Sequence, residues 1–363
     1  MPKLILILLL FTLPLVIDNH CYYTGYIKNS ILYIGAIWLA FFMYFKRPKL
    51  PDSTVVLFFS WIALSYLFNP CKSGDPLEAL ITYGAYLMVY LAARDYLNIE
   101  TMAVCLEWVV YILTGLLIYS YYQDPKYIFT NFFSHGFLEW KATFGMGGLL
   151  GNWALLALPV MLYRRNIIVA ILAMLLLWLS GSRSALIGTV CGLSVLGVHS
   201  VDRRWLKGII IAVGIGVFGM ALAKSAPKLN PEAERFSYWQ SALNMSIDKP
   251  LAGYGVGSFR INYPRYRNPY INKKYGTPNV DLQHAHNIFL EISSELGLIG
   301  LGLFLFLIWR HFKLNQEWGI ICGIFAVLMA NLTDVSFFYC PIGAMFFIYL
   351  GLLAKNKVLD KKE

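Results

Sequence analysis

The sequence predicts an all-α polytopic membrane protein with about twelve transmembrane helices and one large loop on the outer side. Three observations carry this. Of 363 residues, 58% are hydrophobic and only 14% charged, and the mean hydropathy is +0.59, too apolar for a soluble domain. Apolar runs close to the length needed to cross a hydrocarbon core recur along the chain. One long polar stretch, 224–287, separates the ninth and tenth runs. The chain 1–363 therefore reads as a single membrane domain.

In order, the runs fall at 3–17, 30–45, 54–69, 77–93, 101–120, 142–163, 167–181, 184–199, 208–223, 288–309, 318–333 and 341–354. The first begins MPKLILILLLFTLPLVIDNHC, with the lysine and apolar run of a secretory signal. It lacks a small-x-small cleavage pattern and another span follows directly, so it reads as the first transmembrane helix. The seventh and eighth are parted only by Gly181, Ser182 and Arg183.

Lysine and arginine set the orientation, because short loops rich in them stay cytoplasmic. Alternate connections carry Lys46, Arg47, Lys49, Arg94, Arg164, Arg165, Arg203, Arg204, Lys207, Arg310 and Lys313, and the termini add Lys3, Lys355, Lys357, Lys361 and Lys362. That is 16 against five on the opposite short connections, which places both termini inside. The net charge of +10 is thus a matter of topology. No nucleic-acid-binding motif accompanies it.

Long segments translocate regardless of charge, so 224–287 lies outside with its nine Lys and Arg. Within it, PEAERFSYWQSALNMSID reads as an amphipathic helix with Pro231 suited to the first turn and Phe236, Trp239, Leu243 and Ile247 on one face. KPLAGYGVGSF then breaks the helix. Its G-x-G spacing lacks the lysine of a P-loop and follows no buried strand, so it reads as a turn and not as a nucleotide site.

Six cysteines show no CxxC or Cys/His ligand spacing. Cys105, Cys191 and Cys322 fall within apolar runs as small buried hydrophobes. Cys21, Cys71 and Cys340 lie in or near outward segments, which leaves a disulfide among them open.

An ionisable group at a membrane boundary is a functional candidate. His284, His286 and Asn287 end the polar loop just before an apolar helix. The two histidines are i and i+2, poor spacing for two ligands on one helix, with no cysteine or third histidine nearby, so no metal site is expected. Near pH 7 a neutral imidazole can take a proton from a hydroxyl. Glu291 and Glu295 follow one and two turns later, where either could orient a histidine. The alternative is a pair of interfacial histidines without a role.

Arg183 in LSGSRSALIG is either an arginine snorkelling to lipid phosphate or a fixed cation facing a cavity. Arg235 in ERFSYW has aromatic neighbours, and Arg260, Arg265 and Arg267 follow the glycine turn. Clustered arginines suit a diphosphate, to which the planar fork donates paired hydrogen bonds. Each of the latter three is also readable as a solvated surface charge. Asp334 reads as a structurally paired boundary acid.

Four passages, ATFGMGGLLGNWALLALP, LSGSRSALIG, RFSYWQSALNMSIDKPLAGYGVGSF and HAHNIFLEISSELGLIGLGLFL, together resemble the bacterial O-antigen ligase / O-antigen polymerase superfamily over roughly 142–310. The resemblance implies a GT-C-like helical fold in the bacterial inner membrane. It also implies an inverting, metal-independent glycosyltransferase without cofactor, acting on an undecaprenyl-diphosphate-linked glycan donor. The acceptor would be lipid A–core or a similar glycan.

Carried over by position, His286 matches the family's catalytic base, and Arg183 and Arg235 match its diphosphate-binding arginines. His284, Arg260 and Arg265 match more loosely, with Asn287, Glu291 and Glu295 in support. The TFGMGG passage departs from the commoner T-F-x-x-P-N pattern. A polymerase needs the same donor chemistry as a ligase, so the two stay open, as does transfer to a protein acceptor. A solute transporter is the alternative of another class, but no paired broken helices in matching halves support it.

Overall fold

The computed structural model describes residues 1–16, 25–46, 48, 50–69, 74–123, 142–144, 146–200, 234–268 and 282–355. Among them the chain is all-helical. In order come α1 (Pro2–Leu15), α2 (Gly25–Lys46), α3 (Ser53–Phe68), α4 (Asp75–Tyr96) and α5 (Ile99–Gln123). After them come α6 (Gly147–Tyr163), α7 (Ile167–Leu179), α8 (Arg183–Ser200), α9 (Glu234–Asp248) and α10 (Phe259–Tyr266). The last three are α11 (Ile288–Leu314), α12 (Trp318–Ala330) and α13 (Cys340–Leu353). Short 3-10 turns occur at Ala142–Phe144 and Ser336–Phe338.

Helices occupy eleven of the twelve intervals expected to span the membrane. The remaining one, 208–223, lies outside the described residues, as do 224–233 and 269–281 of the long loop and Cys21 and Cys71. Four helices, α2, α4, α5 and α11, are long and apolar enough by themselves to cross a membrane, while the other apolar helices are shorter. Cys340 is a buried, free thiol in the first turn of α13.

In lipid, helices associate through close backbone approach, because apolar surface alone gives little drive. Here α12 runs along α8 and α6, and small residues set the spacing. A Cβ on Gly188 of α8 would lie 2.4 Å from the Ala326 carbonyl oxygen of α12, and one on Gly192 would lie 2.8 Å from that of Cys322. On its other side, Gly323 of α12 faces the Leu156 carbonyl of α6 in the same way.

The glycine turn of the loop does more than end a helix. Within α11, Gly297 has φ 68° and ψ −176°, which interrupts the helix. The interruption frees carbonyls that would otherwise bond within the helix. Tyr254 N–H donates to the Ser294 carbonyl at 3.0 Å, Gly255 N–H to that of Glu295 at 2.7 Å, and Trp61 Nε1 of α3 to that of Leu296 at 2.9 Å. In return, the Leu298 N–H donates to the Pro250 carbonyl at 2.8 Å. The loop is thereby stitched into the break.

Helix α9 packs on α11 through Ser237, Tyr238, Ser241, Ala242, Met245 and Ser246. Phe236, Leu243 and Ile247, three of the four apolar residues read as sharing one face, are exposed. The reason is steric: serine and alanine let the two backbones approach, and the Ser246–Ser293 hydroxyl contact of 2.8 Å bridges the helices.

Candidate functional site

The N-terminal end of α11 gathers most of the candidates. Asn287 is its N-cap, with Oδ1 accepting from the N–H groups of Phe289 at 3.0 Å and Leu290 at 3.1 Å. Its Nδ2 donates to the Leu332 carbonyl at 3.1 Å, and Ile288 N–H donates to the Asn331 carbonyl at 2.9 Å. Asn287 is thus a structural clamp between α11 and the turn after α12.

Just before this cap the two histidines diverge around the buried Ala285. His284 packs flat on Phe338, with ring centroids 4.8 Å apart and a 9° interplanar angle. Its Nδ1 lies 2.7 Å from Glu291 Oε1, while Glu291 Oε2 accepts from Ala285 N–H at 2.7 Å. Burial pulls the His284 pKa down, but the charge and hydrogen bond of Glu291 outweigh it and the net shift is upward. A helical turn further along, the Glu295 carboxylate likewise holds backbone, accepting from Gly257 N–H and Phe259 N–H at 2.9 Å each. It fixes the entry to α10.

His286 faces another way. It adopts φ 57°, a left-handed conformation that costs a non-glycine residue of order 1–2 kcal/mol. Its ring stacks on Tyr238 of α9 at 5.7 Å, and its carbonyl accepts from Trp239 Nε1 at 3.2 Å. Burial, then the charge of Arg235, push the His286 pKa down to about 4, while Asp334 pulls the other way. The imidazole is therefore neutral at pH 7, with both a cation and a carboxylate within electrostatic reach.

The arginines do not converge on one spot. Arg235 stands exposed in the first turn of α9, close enough to influence His286. Arg183 opens α8 and is exposed. Its neighbour Ser184 donates a short hydrogen bond to Asp334 Oδ2, which also receives Asn152 Nδ2 at 3.1 Å. Arg260 is elsewhere, ion-paired with Asp75 of α4 at 3.3 Å. Arg265 is exposed on α10.

Two sets result. On one side are His286, Arg235 and Asp334; on the other, His284, Glu291, Glu295 and Arg260 line a cavity of about 180 Å³. Sequence reasoning did not single out Asp75, Tyr86, Phe338, Asn152 or Ser184. Only Ser184, inside the serine–arginine motif, lay next to a flagged position. Among the described residues no group of three or more His, Cys, Asp or Glu side chains is arranged to hold a metal ion.

This is a helical membrane protein whose polar loop is latched onto one end of a long apolar helix, with titratable groups at the latch. The O-antigen ligase family matches residues 168–305, from α7 into α11. The chain is 26% identical over 285 residues to a Rickettsia prowazekii protein named "Putative polysaccharide ligase RP358". It is 27% identical over 289 residues to a similarly named protein of Rickettsia typhi, and each match covers 72% of this chain and 67% of the relative. Over this segment the chain is similar to O-antigen ligases, and the relatives it matches carry the name of polysaccharide ligase.

Proposed function

We propose that the chain transfers a glycan from an undecaprenyl-diphosphate carrier to lipid A–core or a similar acceptor, at the outer face of the bacterial inner membrane. In this reading all twelve apolar intervals span the bilayer, 224–287 is periplasmic and both termini are cytoplasmic. The observation that carries it is the placement of His286, its ring stacked on Tyr238 just before α11 and within electrostatic reach of Arg235 and Asp334.

His286 takes the proton of an acceptor hydroxyl as that oxygen attacks the anomeric carbon. The bond from this carbon to the diphosphate oxygen breaks, the configuration inverts, and undecaprenyl diphosphate leaves with the electron pair. Arg235 and Arg183 stabilise the charge that grows on it. An imidazole at pKa about 4 is a weak base. An anionic diphosphate beside Arg235 offsets the guanidinium charge, and the histidine becomes more basic once the donor is bound. The donor arrives activated, so no nucleotide or metal takes part. Arg260, held by Asp75, has a positioning role in this scheme, and Arg265 lies at its edge.

The test is His286→Ala with surface polysaccharide separated on a gel. Loss of the ligase leaves lipid-linked polymer unattached, whereas loss of a polymerase leaves single repeats on the core. Banding identical to wild type refutes the assignment of His286.

A further inference from the structure

The cavity beside His284 lies apart from the His286–Arg235 pair and has a different chemistry. It is lined by the first turn of α2, the first half of α4, the glycine turn, α10, the start of α11 and the Phe337–Phe338 turn. Its walls carry four carboxylates, Asp75, Glu78, Glu291 and Glu295, against one guanidinium, Arg260, and the His284 ring. At about 180 Å³ it is smaller than a drug-sized cleft, which runs roughly 300–1,000 Å³. It has room for one ring-sized group.

Among the described residues these carboxyl groups are satisfied only in part. Glu295 receives two N–H groups and Glu291 receives the Ala285 N–H and His284. Asp75 receives Arg260, and Glu78 receives Asn29 Nδ2 at 3.0 Å. A carboxylate offers about four acceptor directions, so several stay open. A separate observation points the same way. Tyr86, a residue 2% exposed, lines the cavity, and its own buried hydroxyl has no hydrogen-bond partner among the described residues. A buried hydroxyl without a partner costs of order 1–3 kcal/mol unless something else bonds to it.

We infer that this cavity binds one uncharged sugar ring of a glycan substrate. Ring hydroxyls donate to the free carboxylate lone pairs and accept from Tyr86, and the flat His284–Phe338 stack offers an apolar wall to a sugar's C–H face. The cavity's one guanidinium, Arg260, is already paired with Asp75, so the anionic end of the donor belongs on the Arg235 side. The inference rests on the glycan-transfer reading and adds to it a second subsite. The ring belongs either to the acceptor or to the donor's glycan.

The test uses the full chain in nanodiscs, with methyl hexopyranosides as probes and saturation-transfer NMR as readout. The expected result is saturation of ring protons that added pyrophosphate does not relieve. Tyr86→Phe removes only the unpartnered oxygen, preserves the fold, and should weaken binding about tenfold. Ala79→Phe fills the cavity and should abolish it.

His286→Ala should leave hexoside binding intact while ending transfer, so the two readings fail separately. A raised KM for acceptor in Tyr86→Phe assigns the ring to the acceptor, and a raised KM for donor assigns it to the donor. No saturation in wild type, displacement by pyrophosphate, or wild-type affinity in Tyr86→Phe would overturn the inference.

Discussion

His284 Nδ1 sits 2.7 Å from Glu291 Oε1, and the other oxygen of that carboxylate holds the Ala285 N–H, so one side chain orients both the ring and the backbone leading to His286. The pairing raises the His284 pKa above its ordinary 6.5 despite burial. A raised folded-state pKa contributes stability that is fully present below the unfolded value and lost as pH climbs through the folded one. Glu291→Gln keeps the shape and removes the charge. Its unfolding should lose the extra decline that wild type shows above about pH 6.5. At pH 6 it should be roughly 1–3 kcal/mol less stable. Thermal melts across pH 6–9 check both, and parallel slopes in the two proteins would refute the linkage.

The break in α11 gives a structural prediction. A Cβ on Gly297 would lie 2.1 Å from the Leu251 carbonyl oxygen, at a φ of 68° that alanine tolerates poorly. Gly297→Ala should undock the glycine turn and cost about 2–4 kcal/mol, the strain of the conformation plus the lost contacts. Gly302, with open space around it, is the control, and its alanine variant should melt like wild type. Limited proteolysis near 250–257 should cut Gly297→Ala faster.

Periodic apolar runs announced the helices, because burial in lipid demands an apolar sequence of fixed length. The helix at Glu234–Asp248 was legible from local pattern as well, whereas the capping role of Asn287 came from the structure. Glu291 was readable as a partner of a histidine, although His284 and not His286 received it. Three things were hidden. The Gly297 break depends on loop carbonyls and amides more than forty residues away in sequence. Arg260 looked like an anion binder because its partner Asp75 lies 185 positions earlier. The exposure of Phe236, Leu243 and Ile247 reverses the rule for soluble helices, since serine and alanine make the closer helix contact.

His286 can be separated from its backbone strain. At φ 57° glycine is at ease where histidine is not. His286→Gly should therefore be more stable than His286→Ala by roughly 1 kcal/mol. Both should lose roughly 10²–10⁴-fold in transfer rate if the ring is the general base. Melting curves and single-turnover transfer assays on the pair check this. Activity in the glycine variant near wild type would assign the ring a merely structural role.

Arg235 adds to burial in lowering the proton affinity of His286 and, in the proposed reaction, also binds the leaving diphosphate. The two roles have different signatures. Burial and the guanidinium charge hold the His286 pKa near 4, so the neutral ring is available across pH 6–8 and the acid limb of kcat/KM lies near pH 4. Arg235→Gln removes a positive charge, which makes the imidazolium less unfavourable and raises the pKa toward its ordinary 6.5. The acid limb should move to higher pH, so the variant loses proportionately more of its own maximal rate at pH 5 than wild type does. Loss of the diphosphate contact lowers the plateau as well, by roughly 10–100-fold for a charge-assisted hydrogen bond. A pH profile of kcat/KM from 4 to 8 distinguishes them. A lower plateau with an unmoved limb would leave Arg235 as a diphosphate ligand alone, and a moved limb with an unchanged plateau would leave it only as the group that tunes His286.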